Sequence, residues 1–388
     1  MNRLRYLLLS LLVAMVAFSS CRKEEEVVPS TRVRVGVPGR PGKIKGFFLL
    51  NEANMGSNKA TLDYYDYTTA FYTRNIYAER NPNVVKELGD VGNDLQIHGS
   101  RLYAVINVSG LIEVMDVRTA KHIGKLSIPN CRYITFKDGF AYVSSYAGPV
   151  KIDPNARLGY VAKVDTATLK VVAECPVGYQ PEELLIQGDK LYVANSGGYR
   201  APNYDKTISI IDLKTFTEEK QVDVAINLHR LQLDNYGKIW ASSRGDYKGV
   251  PSRLFVFDPK SESVTKTLEI ACSNMALSGD SLFVYSSEWS YLTGKNTISY
   301  TVIDTKKQEV IDRNFIKDGT DKEIQLPYGL AINSEEGELY LTDAQDYVHP
   351  GQLHCYDLKT GRRKWSVKTG DIPAHIAFTT QPLHPLHH

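Results

Sequence analysis

The side chains of this sequence that could do chemistry occupy matching points of a repeated pattern, but their identities do not repeat. One such point, where an innermost strand is expected to begin, carries seven different residues: Asn93, Arg132, Glu182, His229, Ser273, Tyr328 and Ala374. Their polar groups supply hydrogen-bond donors, acceptors and charge of both signs. A purely structural position would repeat one small residue. The divergence predicts an asymmetric polar ligand site, with a solvated scaffold face that binds protein as the alternative.

The loops expected beside these positions add aromatic and cationic side chains. Five consecutive repeats place an aromatic residue in this loop, and the candidate ligand-binding residues there are Tyr146, Tyr199, Tyr204, Arg244, Tyr247, Trp289 and Tyr347. Tyrosine and tryptophan offer rigid contact area with a polar tip, which suits a large amphipathic ligand or a sugar. The residues that follow the matching points are expected to point away from the site or into the loops: Asp94, Tyr133, Glu183, Arg230, Asn274 and His375.

The elements that must position these residues are indicated by seven aspartates. Each aspartate ends a short strand-like run, and the intervals between them are 46–53 residues: Asp66, Asp116, Asp165, Asp212, Asp258, Asp304 and Asp357. A repeat of roughly 40–50 residues with several short strands is typical of a β-propeller. A carboxylate at a strand end accepts backbone N–H groups in a turn, so these aspartates are expected to be structural rather than catalytic.

The clearest repeat, residues 182–224, contains four strand-like runs. Their hydrophobic alternation and intervening turn residues predict strands A, B, C and D in chain order. The first repeat lacks strand A, whereas residues 373–378 match it, so the C-terminal strand is expected to join the first blade as its innermost strand. Strand D of that blade is expected over Phe71–Tyr77. The predicted fold class is all-β, a seven-bladed β-propeller of four antiparallel strands per blade, over residues 45–380.

Catalytic and metal-binding patterns are weak. The sequence contains no GxSxG, HExxH, phosphate-binding glycine loop or EF-hand motif. His229 beside Arg230 could act as a general base with a cation, although a hydrogen-bonded channel histidine explains the pair as well. Glu182, Asn93 and Asn274 could imitate the calcium site of propeller lactonases, but one carboxylate and two amides suit a hard cation poorly. We therefore expect no enzyme, catalytic residue, cofactor or metal, and a calcium-dependent lactonase-like enzyme is the second alternative.

The N-terminus predicts export and anchoring. Residues 1–20 combine two arginines, an apolar run too short to span a bilayer and a final pair of serines, Ser19 and Ser20, which is the pattern of a signal peptide. Cys21 stands where the acylated cysteine stands in the lipobox of bacterial lipoproteins, which this segment resembles. A secretory leader with an incidental cysteine is the alternative. Residues 21–44 are expected to be the acylated cysteine and a flexible tether, and residues 381–388 a tail without function.

Charge and cysteine usage narrow the function further. The formal net charge is +2, with 46 basic and 44 acidic residues, so nothing favours a nucleic acid or an anionic membrane as partner. The remaining cysteines lack CxxC or Cys/His metal spacing. Either buried free thiols or disulfides would suit these four residues: Cys131, Cys175, Cys272 and Cys355.

The recurring runs Leu191–Asn195 and Ile208–Asp212, with Gly-x-x-Pro before strand A, resemble the YncE or surface-layer type of seven-bladed propeller over residues 45–380. The leader, the acidic export signal at residues 23–25 and the opening run at residues 46–54 make the chain similar to BtuG-type surface lipoproteins of Bacteroidetes. This resemblance implies a lipid-anchored, surface-exposed outer-membrane protein that captures cobalamin (vitamin B12) or a related corrinoid on its loop-rich face. It implies transfer to a BtuB-like TonB-dependent transporter, with membrane contact through the lipid anchor alone. A glycan- or protein-binding surface propeller is the first alternative.

Overall fold

The computed structural model describes residues 29–84, 87–290 and 294–385, and these ranges form seven antiparallel sheets. Each sheet is one blade of a ring, with strands A to D counted from the centre outward. In these ranges helical structure is limited to α1 (Ile76–Arg80) and one 3-10 turn (Thr320–Glu323), and no helix is long and apolar enough to cross a membrane. The prediction of an all-β, seven-bladed propeller is confirmed.

The strands follow the chain from blade to blade. Blade 1 contains β1 (Thr31–Arg34), β2 (Gly46–Asn51), β3 (Thr61–Asp66), β4 (Phe71–Arg74) and β29 (Pro373–Thr379). Blade 2 contains β5 (Gly92–His98), β6 (Arg101–Ile106), β7 (Leu111–Asp116) and β8 (His122–Ser127). Blade 3 contains β9 (Cys131–Lys137), β10 (Phe140–Ser145), β11 (Tyr160–Asp165) and β12 (Lys170–Pro176). Blade 4 contains β13 (Pro181–Gln187), β14 (Lys190–Asn195), β15 (Thr207–Asp212) and β16 (Thr217–Asp223).

The remaining three blades complete the ring. Blade 5 contains β17 (Leu228–Leu233), β18 (Ile239–Ser243), β19 (Arg253–Asp258) and β20 (Ser263–Leu268). Blade 6 contains β21 (Asn274–Ser278), β22 (Ser281–Ser290), β23 (Lys295–Asp304) and β24 (Glu309–Asp312). Blade 7 contains β25 (Pro327–Asn333), β26 (Glu338–Asp343), β27 (Pro350–Asp357) and β28 (Arg363–Asp371).

The ring closes through the C-terminal strand, as predicted. β29 pairs antiparallel with β2, with Ala377 opposite Phe48, so the innermost strand of blade 1 comes from the other end of the chain. The seven innermost strands contact one another in turn, and β29 lies against both β25 and β5. This pairing gives β2 a partner on its inner side, as strand B has in the other blades, and joins the two ends of the chain by backbone hydrogen bonds.

The hydrophobic core lies between the blades. Seven clusters each join two neighbouring blades, and one of them packs Phe47 and Leu49 of blade 1 against Tyr340 and Leu353 of blade 7. Both faces of strand B are therefore buried, which explains why β14 has five buried residues in succession. Strand D lies at the circumference, and β20 accordingly alternates exposed and half-buried residues over most of its length.

The seven aspartates that close strand C have the structural role predicted for them. Six of them accept the backbone N–H of the residue two positions further on, as Asp212 does from Lys214 at 2.8 Å. Asp304 instead accepts the N–H of Lys307 at 2.9 Å. Each carboxylate thus fixes a C–D turn, on the face opposite to the B–C loops.

The four cysteines of the propeller are buried free thiols: Cys131, Cys175, Cys272 and Cys355. This finding decides between the two alternatives left by the sequence. Burial raises the pKa of the thiols of Cys131 and Cys272 to about 12. Because the thiolate is the reactive form, neither group is activated for chemistry.

Two segments of blade 1 differ from the prediction. Residues 31–34, assigned to the tether, form β1, which pairs with the outer edge of β4. The outer strand of this blade has only four residues, and β1 extends the sheet by supplying partners for its free edge. Strand D, expected to end at Tyr77, ends at Arg74, because Asn75 adopts a left-handed conformation with φ of 48° and α1 follows.

The predicted signal peptide, the predicted acylation site Cys21 and the last three residues of the tail lie outside the described residues. The described part of the tail lies on blades 1 and 2. The N–H of Leu383 donates to Tyr64 Oη at 3.4 Å, and the N–H of His384 donates to the carbonyl of Arg118 at 2.7 Å.

Candidate functional site

A cavity of about 1000 Å³ opens at the mouth of the central channel, on the face where the B–C and D–A connections emerge. We call it the mouth cavity. Its wall combines the first residues of strand A with residues of the B–C loops. Asn93 and Arg132 belong to the first group and Tyr247 belongs to the second. Trp289 was expected in a loop but lies near the end of strand B in blade 6, because this strand extends to Ser290 and pairs Trp289 with Asn296. The two groups of candidate residues therefore meet in one place.

Nine of the twelve candidate ligand-binding residues line the mouth cavity: Asn93, Arg132, Tyr199, His229, Arg244, Tyr247, Trp289, Tyr328 and Tyr347. Ser273 and Ala374, which share the repeat position of some of these residues, also line it. Tyr146 and Glu182 are buried behind the wall, with 3% and 1% of each residue exposed. Tyr204 is half-buried in the long B–C loop of blade 4, outside the wall.

A β-bulge at the start of strand A changes which side chains face the channel. In blades 3, 4, 5 and 7 the register between strands A and B shifts by one residue at this point. An extra residue in one strand interrupts the alternation of side chains, so two successive residues share a side. The expectation that Tyr133 and Arg230 point away from the site is wrong for this reason, since both line the cavity. Asn274 and His375 line it as well.

Hydroxyl groups on strand B hold the bulged backbone. Ser144 Oγ accepts the N–H of Tyr133 at 3.1 Å, and Ser242 Oγ accepts the N–H of Arg230 at 3.0 Å. Thr342 has the same position in blade 7 and accepts the corresponding N–H at 2.6 Å. A buried N–H without a partner destabilises the fold, so a hydroxyl at the penultimate residue of strand B satisfies the amide that the bulge removes from the ladder.

The carboxylate of Glu182 holds two arginines of the wall. Arg132 donates to Glu182 Oε2 from Nε at 3.1 Å and from Nη2 at 3.0 Å, and Arg244 Nη1 donates to Oε1 at 3.2 Å. Tyr146 also donates to Oε1. Burial acts to raise the pKa of Glu182, but the charges of Arg132 and Arg244 outweigh it and hold the pKa below its usual range. Glu182 is thus an ionised anchor that orients two guanidinium groups at the cavity.

A second chain of polar groups runs along the wall. Arg230 lies 3.2 Å from Glu183 and donates from Nη1 to Tyr133 Oη at 3.2 Å, and that oxygen lies 2.9 Å from His229 Nε2. A tyrosine oxygen can accept two hydrogen bonds and donate one, so the tautomer of His229 decides which of Oη and Nε2 donates; with Nε2 as the acceptor, the ring proton lies on Nδ1. Burial, with the charges of Arg244 and Arg230, holds the pKa of His229 well below its usual value, so the ring is neutral.

Blades 7 and 1 contribute an acidic group to the wall. Glu52 accepts from Tyr328 Oη at 2.7 Å and lies 2.9 Å from His375 Nε2. The ring of Tyr328 packs edge-on against Tyr347, with ring centroids 5.9 Å apart. Sequence reasoning missed Glu52 because its loop has no aromatic residue. The available signal was its position, directly after strand B of blade 1, where the other blades carry their variable loops.

Four aromatic residues form the rim of the cavity: Tyr199, Tyr247, Trp289 and Tyr347. Between 37% and 49% of each is exposed, so their rings are available to a ligand. Tyr247 and Tyr347 also have left-handed φ angles of 61° and 65°. A bulky residue with positive φ stores strain that the rest of the fold must offset. Strain kept at two rim tyrosines favours a role for these loops in binding.

The arrangement does not reproduce the calcium site considered from the sequence. Both oxygens of Glu182 accept hydrogen bonds, and the side-chain amide of Asn93 donates to the carbonyl of Arg132 at 2.7 Å. Asn274 Oδ1 accepts the N–H of Met275 at 2.9 Å. A cation at Glu182 would also face two guanidinium groups. Across the described ranges, no group of three or more His, Cys, Asp or Glu side chains is placed to hold a metal ion.

Comparison with solved structures agrees with the propeller architecture. Hydrazine synthase of Kuenenia stuttgartiensis is 19% identical with a TM-score of 0.56, over 69% of this chain and 77% of that chain. Apo AztD from Citrobacter koseri is 11% identical with a TM-score of 0.52, over 86% of this chain and 97% of that chain. Identities this low show the fold alone. No curated protein matches the chain. Residues 45–379 match the family described as Domain of unknown function (DUF5074), and the chain belongs to that family.

Proposed function

We propose that this protein is a surface lipoprotein that captures cobalamin or a related corrinoid in the mouth cavity, as the resemblance to BtuG-type and YncE-type propellers implies. The observation that carries the proposal is the cavity itself, which holds about 1000 Å³ between an aromatic rim and an arginine-lined wall. This volume lies at the upper end of the roughly 300–1,000 Å³ found for small-molecule pockets. A cavity of this size suits a ligand much larger than a monosaccharide.

The chemistry of the wall suits a corrinoid. A corrinoid is a broad, amphipathic ring fringed with amide groups, which both donate and accept hydrogen bonds. The exposed rings of Tyr247 and Trp289 offer flat apolar area at the rim, and Arg244 and the neutral His229 offer donors inside. Tyr328 and Glu52 belong to blades 7 and 1, so the polar partners are spread over several blades of the wall instead of converging on one point.

The anchoring part of the proposal rests on the leader. We infer acylation at Cys21, display on the outer face of the outer membrane and transfer of the ligand to a BtuB-like TonB-dependent transporter. The propeller is expected to touch the membrane through its lipid alone. Because β1 begins at Thr31, nine residues separate Cys21 from the first strand, fewer than the 23 expected for the tether. The propeller is thus expected to lie closer to the membrane than a longer tether would place it.

A surface module that binds glycan is the second candidate, and the exposed rings favour it. Trp289 is 48% exposed and Tyr247 is 49% exposed, and such rings also stack on sugars. The lactonase-like alternative has less support, because Glu182 is held by Arg132 and Arg244 and is not free to bind calcium.

Colour provides the first test. The purified protein is incubated with cyanocobalamin and separated by gel filtration, and we expect the red ligand to elute with the protein. A colourless protein peak would remove the corrinoid proposal, and binding to a glycan array in its place would support the second candidate. Lactone hydrolysis that requires calcium would support the third.

Substitution of a rim residue localises the binding. Trp289→Ala is expected to weaken cyanocobalamin binding by about tenfold to a hundredfold, the range for aromatic anchors, with Tm unchanged. Tyr236→Ala is the matched control, because Tyr236 is an equally exposed aromatic, at 43%, in an A–B turn on the opposite face. Equal affinities for both variants would place the ligand elsewhere.

A further inference from the structure

Arg244 carries hydrogen-bond donors that the protein does not use. Its guanidinium lines the mouth cavity with 26% of the side chain exposed, and within the described ranges its one side-chain acceptor is Glu182, 3.2 Å from Nη1. A guanidinium has five N–H donors in a rigid planar fork, which matches phosphate and carboxylate geometry. The other donors of this fork are left for water or for a ligand in the cavity.

His229 adds a second donor to the same part of the wall. Its Nε2 is engaged with Tyr133 Oη, and in the tautomer in which the tyrosine donates, the proton of the neutral ring lies on Nδ1 and is available to a ligand. Leu228 of strand A is paired with Ser243 of strand B, so His229 and Arg244 both lie next to this pair, and both line the cavity. Lys248, which follows Arg244 in the same B–C loop, also lines the cavity and adds a further positive charge there.

The acids near this region are occupied by other partners. Each of them accepts from groups other than the spare donors of Arg244: Glu182 from Arg132 and Tyr146, Glu183 from the N–H of Leu231, and Asp94 from the N–H groups of Leu95 and Ile134. Glu183 also pairs with Arg230 at 3.2 Å. Glu288 and Glu52 also line the cavity, where Glu288 accepts from the backbone of Ser252 and Glu52 accepts from Tyr328. Among the described residues, none of these five carboxylates except Glu182 is hydrogen-bonded to Arg244.

We propose that Arg244 and His229 form a subsite for a phosphate ester of the ligand. The inference rests on the proposed corrinoid function and specifies how the ligand is oriented. The side chains of the corrin ring in cobalamin end in amides, and the phosphodiester that links the ring to the nucleotide base is the anionic group among its substituents. Charge-assisted bonds from a guanidinium are among the strongest available in a partly desolvated site. The nucleotide loop thus lies toward blade 5.

Two ligands and one substitution test this orientation. Cyanocobalamin contains the phosphodiester, whereas dicyanocobinamide lacks the whole nucleotide loop. Affinities of both ligands are measured by calorimetry for the unmodified chain and for Arg244→Gln. We expect the substitution to weaken cyanocobalamin binding about tenfold to a hundredfold, as for a hydrogen bond to a charged group, and dicyanocobinamide binding less than threefold.

Two further variants serve as controls. Arg200→Gln removes an arginine of the same face that stacks on Tyr179 outside the cavity wall, and it is expected to change neither affinity. Arg244→Lys keeps the charge beside Glu182, so the cavity keeps its ion pair. Because lysine lacks the fork, this variant is expected to lose part of the affinity for cyanocobalamin and to retain that for dicyanocobinamide.

The outcomes separate the two proposals. Equal weakening of both ligands by Arg244→Gln would overturn the phosphate subsite and leave corrinoid capture standing. Unchanged binding of cyanocobalamin by the same variant would also overturn the subsite. If the unmodified chain binds neither ligand, the proposed function fails and the subsite fails with it.

Discussion

Glu182→Gln removes the charge that holds the arginines of the mouth cavity. Glu182 is 1% exposed and accepts two hydrogen bonds from Arg132 and one each from Arg244 and Tyr146. Glutamine keeps the shape but leaves two guanidinium groups without their counter-charge. Arg132 and Arg244 are 13% and 26% exposed, so water compensates them in part. We expect the free energy of unfolding to fall by about 2–4 kcal/mol, slightly below the range for a fully buried broken pair.

The pH dependence provides a second signature. The folded-state pKa of Glu182 lies below its unfolded value of about 4.3, because the two arginines outweigh burial. A depressed pKa contributes stability that is fully present above the unfolded pKa and is lost as the pH falls through the folded pKa. The difference in stability between the unmodified protein and Glu182→Gln should therefore be largest near neutral pH. It should shrink as the solution is acidified below about pH 4.

Urea denaturation at a series of pH values measures both effects. Glu269→Gln is the matched control, since Glu269 pairs with Arg253 at the surface and is 71% exposed, and this substitution should cost less than about 1 kcal/mol. Glu182→Gln should also weaken cyanocobalamin binding, because Arg132 and Arg244 lose their anchor. A loss of stability no greater than that of the control, or one independent of pH, would refute the role assigned to Glu182.

Three further predictions test other parts of the fold. Tyr247→Asn should raise the free energy of unfolding by up to about 1 kcal/mol, since asparagine tolerates the left-handed φ of 61° better than tyrosine does. The same substitution should weaken ligand binding, and a variant less stable than the unmodified protein would show that Tyr247 is not strained. Truncation before Ile372 removes β29 and should abolish cooperative urea unfolding, and an unaltered transition would contradict closure by this strand. Iodoacetamide should not label the buried thiols of Cys131, Cys175, Cys272 and Cys355 until denaturant is added, as mapped by mass spectrometry. Rapid labelling of the native protein would disprove their burial.

The architecture could be predicted because its determinants are local and repeated. Each blade needs the same C–D turn, so the same carboxylate recurs, and Asp116 and Asp212 bind their turns alike. The closing strand was predictable for the same reason, because residues 373–378 match the repeat position that is empty at the start of the chain. The strand β1 was not predictable, because it pairs at a blade edge that no other blade extends and its four residues are all exposed.

The site could be predicted in part. Alignment of the repeats identified the first residues of strand A and the aromatic loops, since both follow from position within a blade. It assigned the wrong side to Tyr133 and Arg230, because a simple strand alternates and a bulged strand does not. A penultimate serine in strand B, such as Ser144 or Ser242, marks the bulge and could serve as its sequence signal. Pairing between residues of different blades, such as Arg132 with Glu182, leaves no local pattern.

The first residues of strand A vary among blades because their backbone is held by hydrogen bonds that do not involve their own side chains. Buried residues of strand A such as Leu228 and Leu231 stand on either side of the bulge, and a backbone N–H of the bulge, that of Arg230, is satisfied by Ser242 of strand B. The identity of each bulged side chain is therefore limited mainly by the other bulged side chains that it contacts. Arg132 pairs with Glu182 and Arg230 pairs with Glu183, each across neighbouring blades. A change at one of these residues therefore requires a change in the next blade.

Arg244 differs from these residues in a way that pairing between blades does not explain. It lies in a B–C loop, and it binds a carboxylate that Arg132 already neutralises through two hydrogen bonds. Structural pairing needs one arginine at Glu182, so the second one adds a positive charge at the cavity without a carboxylate of its own. Leaving a charged group part-buried and underpaired costs stability. Such a cost is compensated when a ligand supplies the missing negative charge, which is the role assigned to the phosphate ester.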